Sequence, residues 1–168
     1  IERAAGRGAL RSAKKLLASN STTSARASAR TALVLLPGAP DALMTYGLAL
    51  SVAGKHTLAL PYLLYAETNQ PELDPRSRLA LANAWEASGA PHKTIHYLET
   101  MPEEEALSQR DRLVRLWLDN RREDSALQAI TAMTPAERKP WRGDLQTLLA
   151  ARRDREALHR LCSEIRAD

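Results

Sequence analysis

The chain contains no phenylalanine, and only three tryptophans and four tyrosines among its 168 residues. Valine and isoleucine are also sparse. Strands draw on aromatic and β-branched residues, so this shortage argues against a sheet-based fold. One cysteine excludes an intrachain disulfide, and with it the small disulfide-stapled classes. Cys162 follows Leu161 in an apolar helical pattern and reads as a small core residue, which leaves the redox compartment open between periplasm and cytoplasm. No apolar run approaches the roughly 18 residues of a membrane span. The seven glycines match no phosphate-binding fingerprint, and neither Gly-x-Ser-x-Gly nor His-Glu-x-x-His occurs. The sequence opens on Ile1 with no readable signal segment, and is expected to be a piece of a longer protein.

What the chain does have is alanine, leucine and arginine, all good helix formers, so an all-α fold is expected. Helices faced with alanine approach closely while leucine fills the gaps, a composition suited to short helices stacked in layers. The net charge is +4, unevenly spread. Within residues 1–30, Arg3, Arg7, Arg11, Lys14, Lys15, Arg26 and Arg30 face Glu2 alone, a net of +6. Within residues 41–75, Lys55 faces Asp41, Glu67, Glu72 and Asp74, a net of −3. Such asymmetry can steer an anionic partner, or simply mark a solvated face.

The organising stretch is LMTYGLALSVAGKHTLALPYLLYAETNQP, residues 43–71. Small residues at Gly47, Gly54, Ala59 and Ala66 alternate with large ones at Leu43, Tyr46, Leu50 and Leu63, ending at Pro71. This predicts two helices, about Asp41–Ala53 and Leu58–Asn69, joined by a tight turn. Gly47 inside a helix costs about 1 kcal/mol relative to alanine. The gain expected in return is close approach of the neighbouring helix.

The spacing resembles the tetratricopeptide repeat, with Leu43 and Leu50 in places where that family usually has tryptophan and tyrosine. A second unit repeats it after 35 residues, from Tyr46-Gly47 to Leu81-Ala82, with Trp85, Gly89, Leu98 and Met101 in register and Thr94 replacing the expected alanine. Asp74-Pro75 and Pro91 are expected to open its two helices. A third unit keeps Leu113-Val114, Trp117, Ala126, Ile130 and Met133, but Arg121 stands where glycine is expected, which predicts a looser or differently shaped turn. Thr134-Pro135-Ala136-Glu137 then reads as a capping box announcing a short helix. A weaker N-terminal unit carries Ala9, Ala13, Leu16, Asn20, Ala25, Ala29, Ala32 and Pro37, and a partial C-terminal unit carries Ala157 and Leu161 after a charged turn at Arg153-Asp154. The expectation is one solenoid of antiparallel helix pairs over 1–168, with repeats near 6–37, 40–73, 75–106 and 107–140 and a partial fifth over 141–168.

The resemblance implies a non-catalytic segment of a larger bacterial scaffold protein, binding a peptide, helix or domain in a concave groove lined by the first helix of each pair. Bacterial export or assembly, with exopolysaccharide secretion as one setting, is the context it suggests. The stripe opposite the packing residues carries Met44 and Leu48, then Leu79, Asn83 and Glu86, then Asp111 and Arg115, and these are the expected groove residues. The alternative is that another helix of the chain covers the apolar ones. Leu48 and Leu79 stand where a carboxylate clamp for chaperone tails needs polar groups, which argues against such a co-chaperone. Arg3, Arg7, Arg11 and Lys14 form a basic stripe at helical spacing, the basis of a second reading as a regulatory module or binder of an anionic polymer. Aromatics for stacking on bases are absent from residues 1–45, so nucleic acid is disfavoured as a partner. No cofactor is implied. His92 and His96 lie four apart, with His56 as a third metal ligand to consider, but helix-terminus roles are the simpler reading. Glu103–Glu105 reads as a helix-start cluster. Trp85 and Trp117 read as core, and Trp141 is left open between core and surface.

Overall fold

Four of the helices begin on proline. Pro40, Pro75, Pro91 and Pro135 each occupy a first helical position, where a missing N–H goes unneeded and the ring presets φ. The computed structural model describes residues 2–70 and 72–167, with 166 and 167 by backbone alone; Pro71, expected to close a repeat, lies outside the described residues. In chain order the helices are α1 (Glu2–Ala18), α2 (Thr22–Leu35), α3 (Pro40–Val52), α4 (His56–Asn69), α5 (Pro75–Ala87), α6 (Pro91–Glu99), α7 (Glu103–Asp119), α8 (Glu123–Ala132), α9 (Pro135–Arg138), α10 (Arg142–Ala151) and α11 (Arg155–Ala167), with a 3-10 turn over Lys139–Trp141. Among the described residues there is no strand.

The turns repeat one geometry. Asn20, Gly54, Gly89, Arg121 and Arg153 all have positive φ, between 55° and 73°. In each turn the N–H of that residue donates three residues back, and the next N–H donates five residues back, to Leu16, Leu50, Trp85, Trp117 and Leu149 respectively. This is the Schellman C-cap, which satisfies carbonyls left open at a helix end. The turn at Arg121 is therefore not looser or differently shaped, as its missing glycine suggests. Arg121 adopts the same left-handed conformation at φ 60°, because the two cap bonds and the packing beyond them outweigh the local cost of about 1–2 kcal/mol.

Two compact units divide the chain, residues 1–108 and 109–168, with the division inside α7. In the first unit α1 packs along α2, α3 along α4 and α5 along α6, while α2 meets α3 and α4 meets α5. The first helices of the pairs also touch, α1 with α3 and α3 with α5. Small residues mark the crossings: Ala13, Ala25, Ala29, Ala32, Ala42, Ala49, Ala59 and Ala66 are all fully buried. Gly47 has the expected role, since a Cβ built on it would lie 2.7 Å from Leu63 Cδ2 on α4. Gly6 is equally tight, 2.7 Å from Leu36 Cγ beyond the end of α2. Thr94, fully buried in a place meant for alanine, keeps its hydroxyl satisfied by the carbonyls of Ala90 at 3.3 Å and Ala82 at 3.4 Å.

In the second unit Val114, Ala126, Leu127, Ile130, Met133, Trp141, Leu145, Leu148, Leu149 and Leu161 form one apolar cluster, with Trp117 half-buried against it. The capping box forms as read: Thr134 accepts from the Glu137 N–H, and the Glu137 carboxylate accepts from the Thr134 N–H at 2.9 Å. Cys162 corrects the core reading. It is exposed, because α11 turns Leu161 inward and its neighbour is carried about 100° around the helix.

Candidate functional site

α1, α3 and α5 lie side by side in the first unit, and polar contacts tie them together. Lys14 Nζ sits 3.6 Å from Asp41 Oδ2, and the Gln70 amide donates to Asp41 Oδ1 at 3.0 Å. Arg76 reaches from the start of α5 to the carbonyl of Leu17 in the last turn of α1, at 3.0 Å. A cation at that end complements the helix dipole. The face is thus braced by contacts between helices far apart in sequence.

Within this face the expected groove residues divide. Leu48 is half-buried against the cluster of Ala13, Leu17, Ala25, Ala29 and Ala49, so helices of the same chain cover part of it. Leu79 and Asn83 are half-buried on α5, and Glu86 is exposed. Met44, placed in the groove by its spacing, is only 7% exposed and belongs to the interior. The reason is that α3 touches α1, α2, α4 and α5 and has little free surface left. Of the basic stripe, Arg3, Arg7 and Arg11 are exposed, and Lys14 is spent partly on Asp41.

In the second unit Asp111 and Arg115 converge on a residue that spacing alone does not connect to them. The Trp141 indole N–H donates to Asp111 Oδ1 at 3.3 Å, and the Arg115 guanidinium carbon lies 5.7 Å from the Trp141 ring centroid. Trp141 is 5% exposed, which places it in the core. Arg115, Leu118, Asp119, Pro140, Trp141 and Asp144 line a cavity of about 400 Å³. Asp119, Pro140 and Asp144 are not among the site residues expected from the sequence. The one signal toward them is Pro140-Trp141 following a capping box, which brings an aromatic back onto the preceding helix pair.

Other candidates do not gather. His92 and His96 are exposed on α6, and His56 Nδ1 instead lies 3.2 Å from the buried Ser51 hydroxyl in the α3–α4 turn. Among the described residues no group of three His, Cys, Asp or Glu side chains is arranged to hold a metal, and no helix is long and apolar enough to cross a membrane. Glu103–Glu105 occupy the exposed first turn of α7. Trp85 is half-buried.

No protein-family profile matches the chain, and no curated protein matches it. Solved structures do. YrrB, a TPR protein with an unusual peptide-binding site, superposes with a TM-score of 0.65 at 20% identity, covering 90% of this chain and 80% of its own. The nearly identical TPR-like repeats of a Podosopora anserina putative kinesin light chain give 0.57 at 16% identity, covering 99% and 95%. PilF of Pseudomonas aeruginosa gives 0.56 at 13% identity, covering 97% and 76%. The fold is therefore all-α and of the tetratricopeptide-repeat kind, a solenoid-type succession of antiparallel helix pairs.

Proposed function

We propose that this chain is a non-catalytic scaffold that captures a partner protein, as a peptide, helix or domain, on the first helices of its pairs. The carrying observation is the braced face of α1, α3 and α5, where Leu48 and Leu79 keep accessible apolar surface beside Asn83 and Glu86. Half-buried aliphatic anchors with polar neighbours are the usual arrangement for binding an amphipathic segment. In the second unit Asp111 and Arg115, held by Trp141, supply polar contacts on α7. The peptide-binding site of the structurally similar YrrB supports a peptide as the partner class. Bacterial export or assembly, and exopolysaccharide secretion within it, is the setting this reading favours.

The test compares the parent chain with a Leu48→Glu, Leu79→Glu variant in a pull-down from source-cell lysate, after circular dichroism shows both folded. Met44 is left intact because a charge there would disrupt the interior. A protein held by the parent and lost by the variant supports capture on this face. Equal retention moves the site elsewhere. A second reading, binding of an anionic polymer through Arg3, Arg7 and Arg11, rests on those three cations having no side-chain partner among the described residues. Steep salt dependence of binding would favour it.

A further inference from the structure

A cavity of about 490 Å³ opens between α2, the end of α3 and the start of α4, lined by Thr23, Arg26, Ala27, Arg30, Tyr46, Leu50, Lys55 and Leu58. Its volume falls within the range of about 300–1,000 Å³ usual for ligand sites. Three of its residues are cationic and none is acidic. Among the described residues Arg26, Arg30 and Lys55 have no ion pair and no side-chain hydrogen bond, whereas Lys14, Arg110, Arg138, Arg152 and Arg160 all have carboxylate partners. Three unneutralised cations around one concavity repel one another, and an anionic occupant relieves that repulsion.

The remaining lining adds apolar surface. Leu50 is 5% exposed and forms the floor; Leu58, 59% exposed, stands at the wall as one of the most exposed large apolar residues in the chain. Tyr46, fixed edge-on against Tyr62 at 5.0 Å, faces the same space. Arg26 and Arg30 are one helical turn apart, so their charges are offset by about 6 Å along α2. That separation suits successive acidic groups along a chain better than one compact anion. Arginine forks bind carboxylates in a bidentate manner.

We infer that this cavity is a second docking site, taking an acidic peptide segment whose carboxylates meet Arg26, Arg30 and Lys55 while an adjacent aliphatic side chain covers Leu50 and Leu58. The site is built from α2, α3 and α4 and does not use Leu48, Leu79, Asn83 or Glu86, so it stands or falls independently of the face described above.

The probe is a short fluorescein-labelled peptide of glutamate and leucine, beside its lysine–leucine counterpart, titrated onto the intact chain by fluorescence anisotropy. Saturable binding of the acidic peptide alone is expected. It should weaken by about tenfold or more in Arg26→Glu, Arg30→Glu, since each reversed charge turns attraction into repulsion. The control is Lys15→Glu, Lys93→Glu, which changes the net charge equally at exposed positions on α1 and α6 outside both proposed sites and the basic stripe, and should alter affinity by less than about threefold. Circular dichroism verifies both folds. Equal weakening in the two variants would mean that binding follows net charge, and would overturn the site. Displacement of the peptide by equimolar pyrophosphate would make it a small-anion pocket instead, and tighter binding of a single-stranded oligonucleotide than of the peptide would make the occupant nucleic acid; either result overturns the peptide assignment.

Discussion

The Tyr97 hydroxyl on α6 lies 2.8 Å from both carboxylate oxygens of Glu67 on α4, thirty positions earlier in the chain. It is a direct side-chain bond between one helix pair and the next. Burial, with the hydrogen bond to Glu67 and its negative charge, pushes the phenol up to about 12 from an ordinary 10.0, weakly opposed by the nearby Trp85 indole. The folded state therefore holds this proton more tightly than the unfolded chain. The resulting stability is complete below pH 10.0 and is lost as pH rises toward 12. Tyr97→Phe should cost about 1.5–3 kcal/mol at neutral pH, the range for a hydrogen bond to a charged acceptor, and should flatten the alkaline decline. Urea melts of both proteins at neutral and alkaline pH check both effects.

Gly47 and Leu63 make a steric pair. With only 2.7 Å between a built Cβ and Leu63 Cδ2, and Leu63 wholly buried, a side chain at 47 has nowhere to go. Gly47→Leu is expected to destabilise by about 1–3 kcal/mol through overpacking. Gly47→Ala combined with Leu63→Ala should lose less than the sum of the single changes, because the second removes the atoms the first strikes. Strict additivity in that double-mutant cycle would sink the packing account.

Turns offer a pair of substitutions with opposite signs. Gly54 has φ 73° and no neighbour within 4 Å of a built Cβ, so Gly54→Ala acts through the backbone alone and should cost about 1 kcal/mol. Arg121→Gly, at φ 60°, removes the same strain and should stabilise by up to about 1 kcal/mol, reduced by the greater freedom of glycine in the unfolded chain. Thermal melts of the two variants should move in opposite directions.

Glu137 gives the capping box a pH signature. Its hydrogen bond from Arg110, then those from the Thr134 N–H and hydroxyl, lower its carboxyl from 4.5 to about 2. A depressed carboxylate contributes stability above its unfolded value and loses it as pH falls through the folded one, so this contribution fades between about 4.5 and 2. Carboxyl NMR titration should find the Glu137 midpoint at about 2, well below the ordinary 4.5. Thr134→Ala should bring its midpoint back up.

Much of the architecture was readable from composition and spacing, because each feature obeyed a local rule. Proline at helix starts, the Thr134–Glu137 box, Gly47 between bulky neighbours and the roughly 34-residue recurrence all express constraints acting within a turn or two of chain. The turn at Arg121 escaped a local reading because its strain is outweighed by cap bonds and packing, neither of which marks position 121 itself. Met44 and Leu48 show the same limit at the site. Their spacing places both on one stripe of α3, yet how much of that stripe is covered depends on the helices packed against it, which leave Leu48 half-open and close over Met44.

By itself the amino-acid sequence determined the helices, their pairing and their small-residue crossings, since these follow from propensity and periodicity along one segment. Tertiary structure alone decided that Trp141 comes to rest on Asp111 and Arg115, that Tyr97 bonds Glu67, and that Arg26, Arg30 and Lys55 surround one cavity. Each of those depends on the distance between side chains whose positions are set by different helices, and no periodicity within one segment encodes it.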